Sequence, residues 1–220
     1  DGFSGYLTCD GFSGYNKLKD VIRCGCLAHM RRYWHDALPG ESRKSPDKTP
    51  AEIGFGYCNQ LFELEKEYAD LDAETRKAKR IETEPAIWEA YWSWLENLDP
   101  AGGSRLAKAV TYAKNQKPYM ENYLLDGRCS ISNNIAENIA RPYAVGRKNF
   151  LFHDTVKGAR VSSIIYSLVE TAKLNNLNIY AYLETVLLYM PDYKNEPEGI
   201  EELMPWSDMI QERCRIKSKS

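Results

Sequence analysis

Two carboxylates in this 220-residue chain stand where metal-dependent or acid–base chemistry could be built, Asp10 and Glu137. The hexapeptide DGFSGY occurs twice, at 1–6 and 10–15, so Asp1 and Asp10 share one local wording. Asp10 follows Tyr6-Leu7-Thr8-Cys9, which favours a strand, and precedes the turn formers Gly11, Ser13 and Gly14. That order predicts a buried strand ending in a carboxylate at its C-terminal tip, the place where open α/β sheets put ligands and reactive groups. The plainer reading is an Asp-Gly turn with no chemistry.

Glu137 lies in "DGRCSISNNIAENIARPYAVGRKNFLF". Asn133 or Asn134 suits the cap of a helix beginning at Ile135, which puts Glu137 in the first turn, at the positive end of the helix dipole. Arg141 follows one turn on, on the same face. Pro142 is expected to disrupt the helix, and Gly146-Arg147-Lys148 to form a basic turn. An Asn cap, a capping-box Glu and a surface ion pair explain the same residues without function. A carboxylate set among Arg and Lys also fits metal-dependent phosphoryl transfer. Cys24, Cys26 and His29 offer a C-x-C-x2-H spacing. Three ligands fall short of a closed tetrahedral zinc set, so zinc stands beside plain packing and hydrogen-bonded support of a site. A cysteine nucleophile lacks any visible orienting partner.

The elements that must position these groups fall into four segments. Residues 1–50 hold the strand into Asp10, a short helix around Tyr15–Asp20, a second strand at Val21–Cys26, a helix at Leu27–Ala37 and the exposed loop "PGESRKSPDKTP". This order implies an α/β sheet. Residues 51–125 read as helical, from apolar residues at helix spacing and an N-cap at Ser104. Trp88, Trp92 and Trp94 are read there as core. Residues 126–191 carry Glu137 and a helix at Ala159–Leu174, whose Ile164, Ile165, Leu168, Val169 and Ala172 predict a core-packing face. Residues 192–220 read as a flexible tail with an apolar anchor at Leu203–Trp206. A helical block between two α/β pieces suggests an insertion splitting one catalytic core.

With 43% hydrophobic and 27% charged residues, the composition is that of an ordinary globular protein. It holds no apolar run of the roughly 18 residues a membrane span needs. Six scattered cysteines do not read as a disulfide framework and point to the cytoplasm. The net charge of −2 counts against a globally basic nucleic-acid binder, but 63–99 is acidic and 128–173 basic. The chain opens mid-pattern without an initiator Met, as a fragment would.

"CDGFSGYNKL", "CGCLAHMRRYWHDAL", the Glu137 block, "GARVSSIIYSLVETAKLNNLNIYAYLETVLLYMP" and "ELMPW" follow in order. Together they closely resemble the transposases of the insertion sequence 66 family, bacterial DDE transposases, over about 2–206. The block NNxAExxxRPxxxGRKNxLF is long and specific. The resemblance implies a ribonuclease-H-like α/β core with a large helical insertion before the last acidic residue. It makes Asp10 the second acid of the catalytic triad and Glu137 the third, both as ligands of Mg2+ or Mn2+. Asp1 is not the first acid, because the residues between it and Asp10 cannot hold the intervening hairpin strands. The first acid is thus expected outside this chain, and the chain alone is expected to be inactive.

The implied reaction is phosphodiester cleavage at the element's ends followed by strand transfer into target DNA. Two cations would flank the scissile phosphate, and Arg141, Arg147 and Lys148 are candidates for holding DNA phosphates. Cys26, His29 and Asn134 are candidates for support around the acids; Arg31 and Arg32 are either DNA contacts or plain surface charge. Expected partners are transposon-end and target DNA, further copies of the chain in a transpososome, and accessory proteins of the same element, with no membrane. The competing expectation is a catalytically inactive, truncated remnant that only binds DNA or protein.

Overall fold

A computed structural model describes residues 3–40, 46–150, 153–194 and 197–216, with the backbone alone at 147–150. These form two compact units, 1–135 and 136–220. No helix among the described residues is long and apolar enough to cross a membrane.

In the first unit, β1 (Gly5–Cys9) pairs in parallel with β2 (Val21–Gly25), Gly5 opposite Val21 and Cys9 opposite Gly25. The turn formers after Asp10 make a 3-10 turn at Ser13–Lys17 that carries the chain back for the parallel pairing. Cys26 then leads into α1 (Leu27–Asp36). The mostly helical chain with its small parallel sheet is compatible with an α/β fold.

Three helices follow: α2 (Pro50–Glu67), α3 (Ala73–Glu96) and α4 (Arg105–Met120). Their starts are written locally. Thr49 and Glu52 form a reciprocal capping box with Pro50 in the first turn, Asp72 accepts from the Glu74 and Thr75 amides, and Ser104 accepts from the Ala107 amide. All three bury apolar faces in the same core as β2 and α1, around Trp34, Trp88, Tyr91 and Met120. Trp88 and Trp92 are buried and the partly buried Trp94 packs against Trp34 and Tyr91, as expected of core residues. The polar tips of the buried rings are satisfied. Trp34 donates to the Tyr91 hydroxyl at 3.1 Å and Trp88 to the Tyr123 hydroxyl at 3.1 Å. Gly54 lets α2 approach Trp34, since a Cβ there would lie 2.5 Å from the indole.

Glu84 is fully buried on α3 and accepts from the Tyr123 hydroxyl, with Arg80 and Glu65 as its charged neighbours. Burial raises its carboxyl to about 7, and Glu65 adds to the rise. A carboxyl raised on folding binds more protons folded than unfolded between its ordinary range and 7. Its contribution to stability therefore falls as pH rises through that window. Urea unfolding at pH 5 and pH 8 is expected to show this loss, and Glu84→Gln to flatten it.

In the second unit, α5 (Asn134–Phe150) continues from the first and is followed by α6 (Val156–Leu174), α7 (Ile179–Tyr189) and α8 (Asp208–Cys214). Tyr143 of α5 meets Tyr166 of α6 edge to face at 5.2 Å. A small core gathers Ala172, Leu177, Tyr182, Val186, Ile210 and Cys214.

Three expectations are corrected here. Pro142 does not end its helix, and 146–148 is helical rather than a turn. Proline removes only its own bond to the Asn138 carbonyl, and Asn138 is exposed, so water can replace that bond. The α6 stripe is not a buried face: Ile164 is 51% and Ile165 48% exposed, and only Ala172 is buried. The tail is folded over 197–216. Ile210 and Cys214 enter the core, Leu177 bridges Arg215, and the Tyr182 hydroxyl donates to the Leu203 carbonyl at 3.2 Å. Of the expected anchor, Leu203 is buried and Trp206 exposed.

Candidate active site at the tip of the first strand

Asp10 occupies the residue after β1, at the C-terminal edge of the parallel pair. Its Oδ1 accepts from the Phe12 amide at 3.1 Å, which fixes the carboxylate at the mouth of the turn. Gly11 lets the turn approach α4 closely: a Cβ would lie 3.0 Å from both Tyr112 Cε2 and Gln116 Nε2, and those side chains would have to shift. The helical stretch thus forms the wall against which the Asp10 turn is seated.

The carboxylate opens into a basin of about 540 Å³ lined by His29, Arg32, Tyr33 and Asp36 of α1 and by Tyr112 of α4. Burial raises the Tyr112 phenol above its ordinary range, with lesser contributions from Cys26, Tyr33 and Asp10. Tyr112 therefore stays neutral and stacks on Tyr33, ring centres 4.4 Å apart. A half-exposed carboxylate beside an imidazole and a guanidinium can ligate a hard cation and hold an anionic group next to it.

Of the expected supporting residues, His29 shares this basin, while Cys26 is fully buried at the N-cap of α1, its amide donating to the Cys9 carbonyl at 3.1 Å. Burial pushes the Cys24 thiol up to about 12, with the neighbouring Cys129 adding to the rise, so it stays protonated and packs. Among the described residues no group of three His, Cys, Asp or Glu side chains could by itself hold a metal ion. Arg31 is held inward by Asn59 at 2.6 Å and lies over the Phe55 ring, whereas Arg32 reaches the basin.

Glu137 is exposed in the first turn of α5, one turn before exposed Arg141, and Asn134 is the exposed first residue of that helix. The side chains of Arg147 and Lys148, like the whole of Asp1, lie outside the described residues. Tyr33, Asp36 and Tyr112 were not singled out for the site from sequence. The available signal was the row Arg105, Lys108, Tyr112 at helix spacing on α4.

The segment between α4 and α5 is tied to the strand pair. Ser130 accepts from the Thr8 hydroxyl at 3.1 Å, and Ile131 from the Leu27 amide at 3.0 Å. Within the first unit this segment is thus anchored beside the strand that carries Asp10.

The chain is 32% identical to "Uncharacterized protein y4qI" of Sinorhizobium fredii (strain NBRC 101917 / NGR234), over 94% of the chain and 39% of the relative. It is 27% identical to "Uncharacterized protein y4hP" of the same organism, over 93% of the chain and 40% of the relative. The chain therefore spans about two fifths of the length of these curated relatives. No solved structure matches. Residues 1–161 match the family model "Transposase IS66 family", and 167–206 match "IS66 C-terminal element". The chain belongs to the IS66 family of transposases.

Proposed function

We propose that this chain supplies the second and third acids of a DDE-type active site, Asp10 and Glu137, in a ribonuclease-H-like core interrupted by the helices of 51–125. The observation that carries this reading is the seat of Asp10: a carboxylate fixed at the C-terminal tip of a parallel strand, facing a basin that also holds a guanidinium. Family membership supports the rest. Among the described residues β1 pairs on one side only, which leaves an edge for the further strands such a core contains.

The donor chemistry fits a hard divalent cation, Mg2+ or Mn2+, since Asp10 and Glu137 offer only carboxylate oxygens. Bound there, the metal would supply an activated oxygen nucleophile and charge neutralisation at the scissile phosphate. Asp10 is held for ligation by the Phe12 amide. Glu137, on the first turn of α5, benefits as an anion from the helix dipole. His29, Cys26 and Asn134 support the acids, and Arg141, Arg147 and Lys148 hold DNA phosphates. The substrate is DNA, at transposon ends and then at a target, cut and joined by several copies of the chain with other proteins of the element, in the cytoplasm.

The test uses the full-length protein and DNA carrying the element's ends. Mg2+-dependent strand cleavage is expected, removed by EDTA and by Glu137→Gln. Cleavage undiminished in Glu137→Gln would remove Glu137 from the site, and an inert full-length protein would favour a remnant that only binds.

A further inference from the structure

Two hollows in the first unit share a wall. The Asp10 basin is lined by Tyr33 and Asp36, and so is a second hollow of about 510 Å³ that continues to Arg105 and Lys108 of α4. Together they form one furrow along the α1–α4 seam, starting at Asp10.

The α4 side of this furrow is a single row. Arg105, Lys108, Tyr112 and Gln116 follow at helix spacing, and the row ends where Tyr112 and Gln116 meet Gly11. From Tyr112 to Arg105 the helix rises about 10 Å, roughly the length of three nucleotides on one strand of a duplex. The stacked Tyr33 and Tyr112 rings both line the Asp10 basin, and Tyr33 lines the second hollow as well.

The cations of the furrow differ from their neighbours. Lys117 of the same α4 pairs with Glu96 at 3.0 Å, and Arg31 is held by Asn59. Arg32 and Lys108 are exposed and make no ion pair among the described residues. Arg105 donates to the Asp36 backbone carbonyl at 3.3 Å and makes no ion pair among the described residues. Three cations thus face two carboxylates, Asp10 and Asp36, and Asp36 has His35 at 3.6 Å.

We propose that this furrow holds consecutive phosphates of the DNA strand bound at Asp10, through Arg32, Arg105 and Lys108. The inference rests on reading Asp10 as part of a DNA-processing site. It assigns to the helical insertion a direct role in gripping substrate, separate from that of Arg141, Arg147 and Lys148.

The experiment measures binding of a fluorescein-labelled DNA duplex to the full-length protein by anisotropy, from about 50 to 200 mM salt. Arg105→Gln with Lys108→Gln is expected to weaken binding and to flatten the slope of log K against log salt by about 1.8, or about 0.9 for each phosphate no longer neutralised. Lys66→Gln with Lys79→Gln, whose lysines pair with Glu63 and Glu82 elsewhere on the unit, is expected to keep the wild-type slope. An unchanged slope in the Arg105/Lys108 variant overturns the furrow. If the wild type still cleaves DNA with Mg2+, the catalytic reading survives that failure. A flattened slope in a protein that never cleaves supports the furrow and sinks the catalytic reading instead.

Discussion

Asp10→Asn is expected to lower Mg2+-dependent DNA cleavage by the full-length protein about a thousandfold or more, equivalent to about 4 kcal/mol of transition-state stabilisation. The substitution is nearly isosteric. An asparagine oxygen can still accept from the Phe12 amide, so the turn on β1 and its packing against α4 persist. What disappears is the negative charge, which a divalent ion needs from a hard ligand. Two readouts separate chemistry from folding. The thermal midpoint is expected to stay near the wild-type value, while Mn2+ affinity measured by calorimetry falls. Retained cleavage with unchanged Mn2+ affinity would reduce Asp10 to the turn former of the plainer reading.

Arg80→Ala is expected to destabilise the first unit by about 3–5 kcal/mol, the usual cost of removing one partner from a buried ion pair. Arg80 is 1% exposed, and its five N–H donors all have acceptors. Two bonds run to the Glu65 carboxylate of α2, at 2.7 and 2.6 Å. The other three go to the carbonyls of Tyr123, Asp126 and Cys129, at 3.3, 3.3 and 2.9 Å. Alanine would leave the Glu65 carboxylate and the Cys129 carbonyl without these donors, while the Tyr123 and Asp126 carbonyls would keep only the Asp126 and Cys129 amides. Lysine has three donors and no planar fork, so Arg80→Lys is expected to recover only part of the loss. The effect reaches beyond stability, because the segment Arg80 clamps continues to Ser130 and Ile131, which bond to β1 and α1. Urea unfolding of the three proteins is the measurement. A loss below about 1 kcal/mol in Arg80→Ala would mean that water satisfies these groups.

What was legible in the sequence follows from how local each signal is. The strand into Asp10 was written in four consecutive residues and the turn after it in the next few. The starts of α4 and α5 were marked by Ser104 and the paired asparagines. Periodicity revealed the apolar stripe of α6 but not what covers it, and Ile164 and Ile165 prove exposed. A proline rule read in isolation stopped α5 at Pro142, although water can replace the one missing bond at exposed Asn138. The Arg80 clamp had no local signature, and of the furrow only the α4 row Arg105, Lys108, Tyr112 was visible as a pattern. Arg80 and Glu65 sit on different helices, and Asp10, Arg32 and Arg105 come from three separate stretches that only folding assembles.

The central claim, that Asp10 and Glu137 serve one cation, is most directly tested by a crystal of the full-length protein soaked in Mn2+. The anomalous difference map is expected to show a manganese ion with an oxygen of each carboxylate at roughly 2.1 Å, the distance typical of small hard divalent ions. Manganese held by Asp10 with Glu137 turned away to solvent, or no manganese at Asp10, would contradict it.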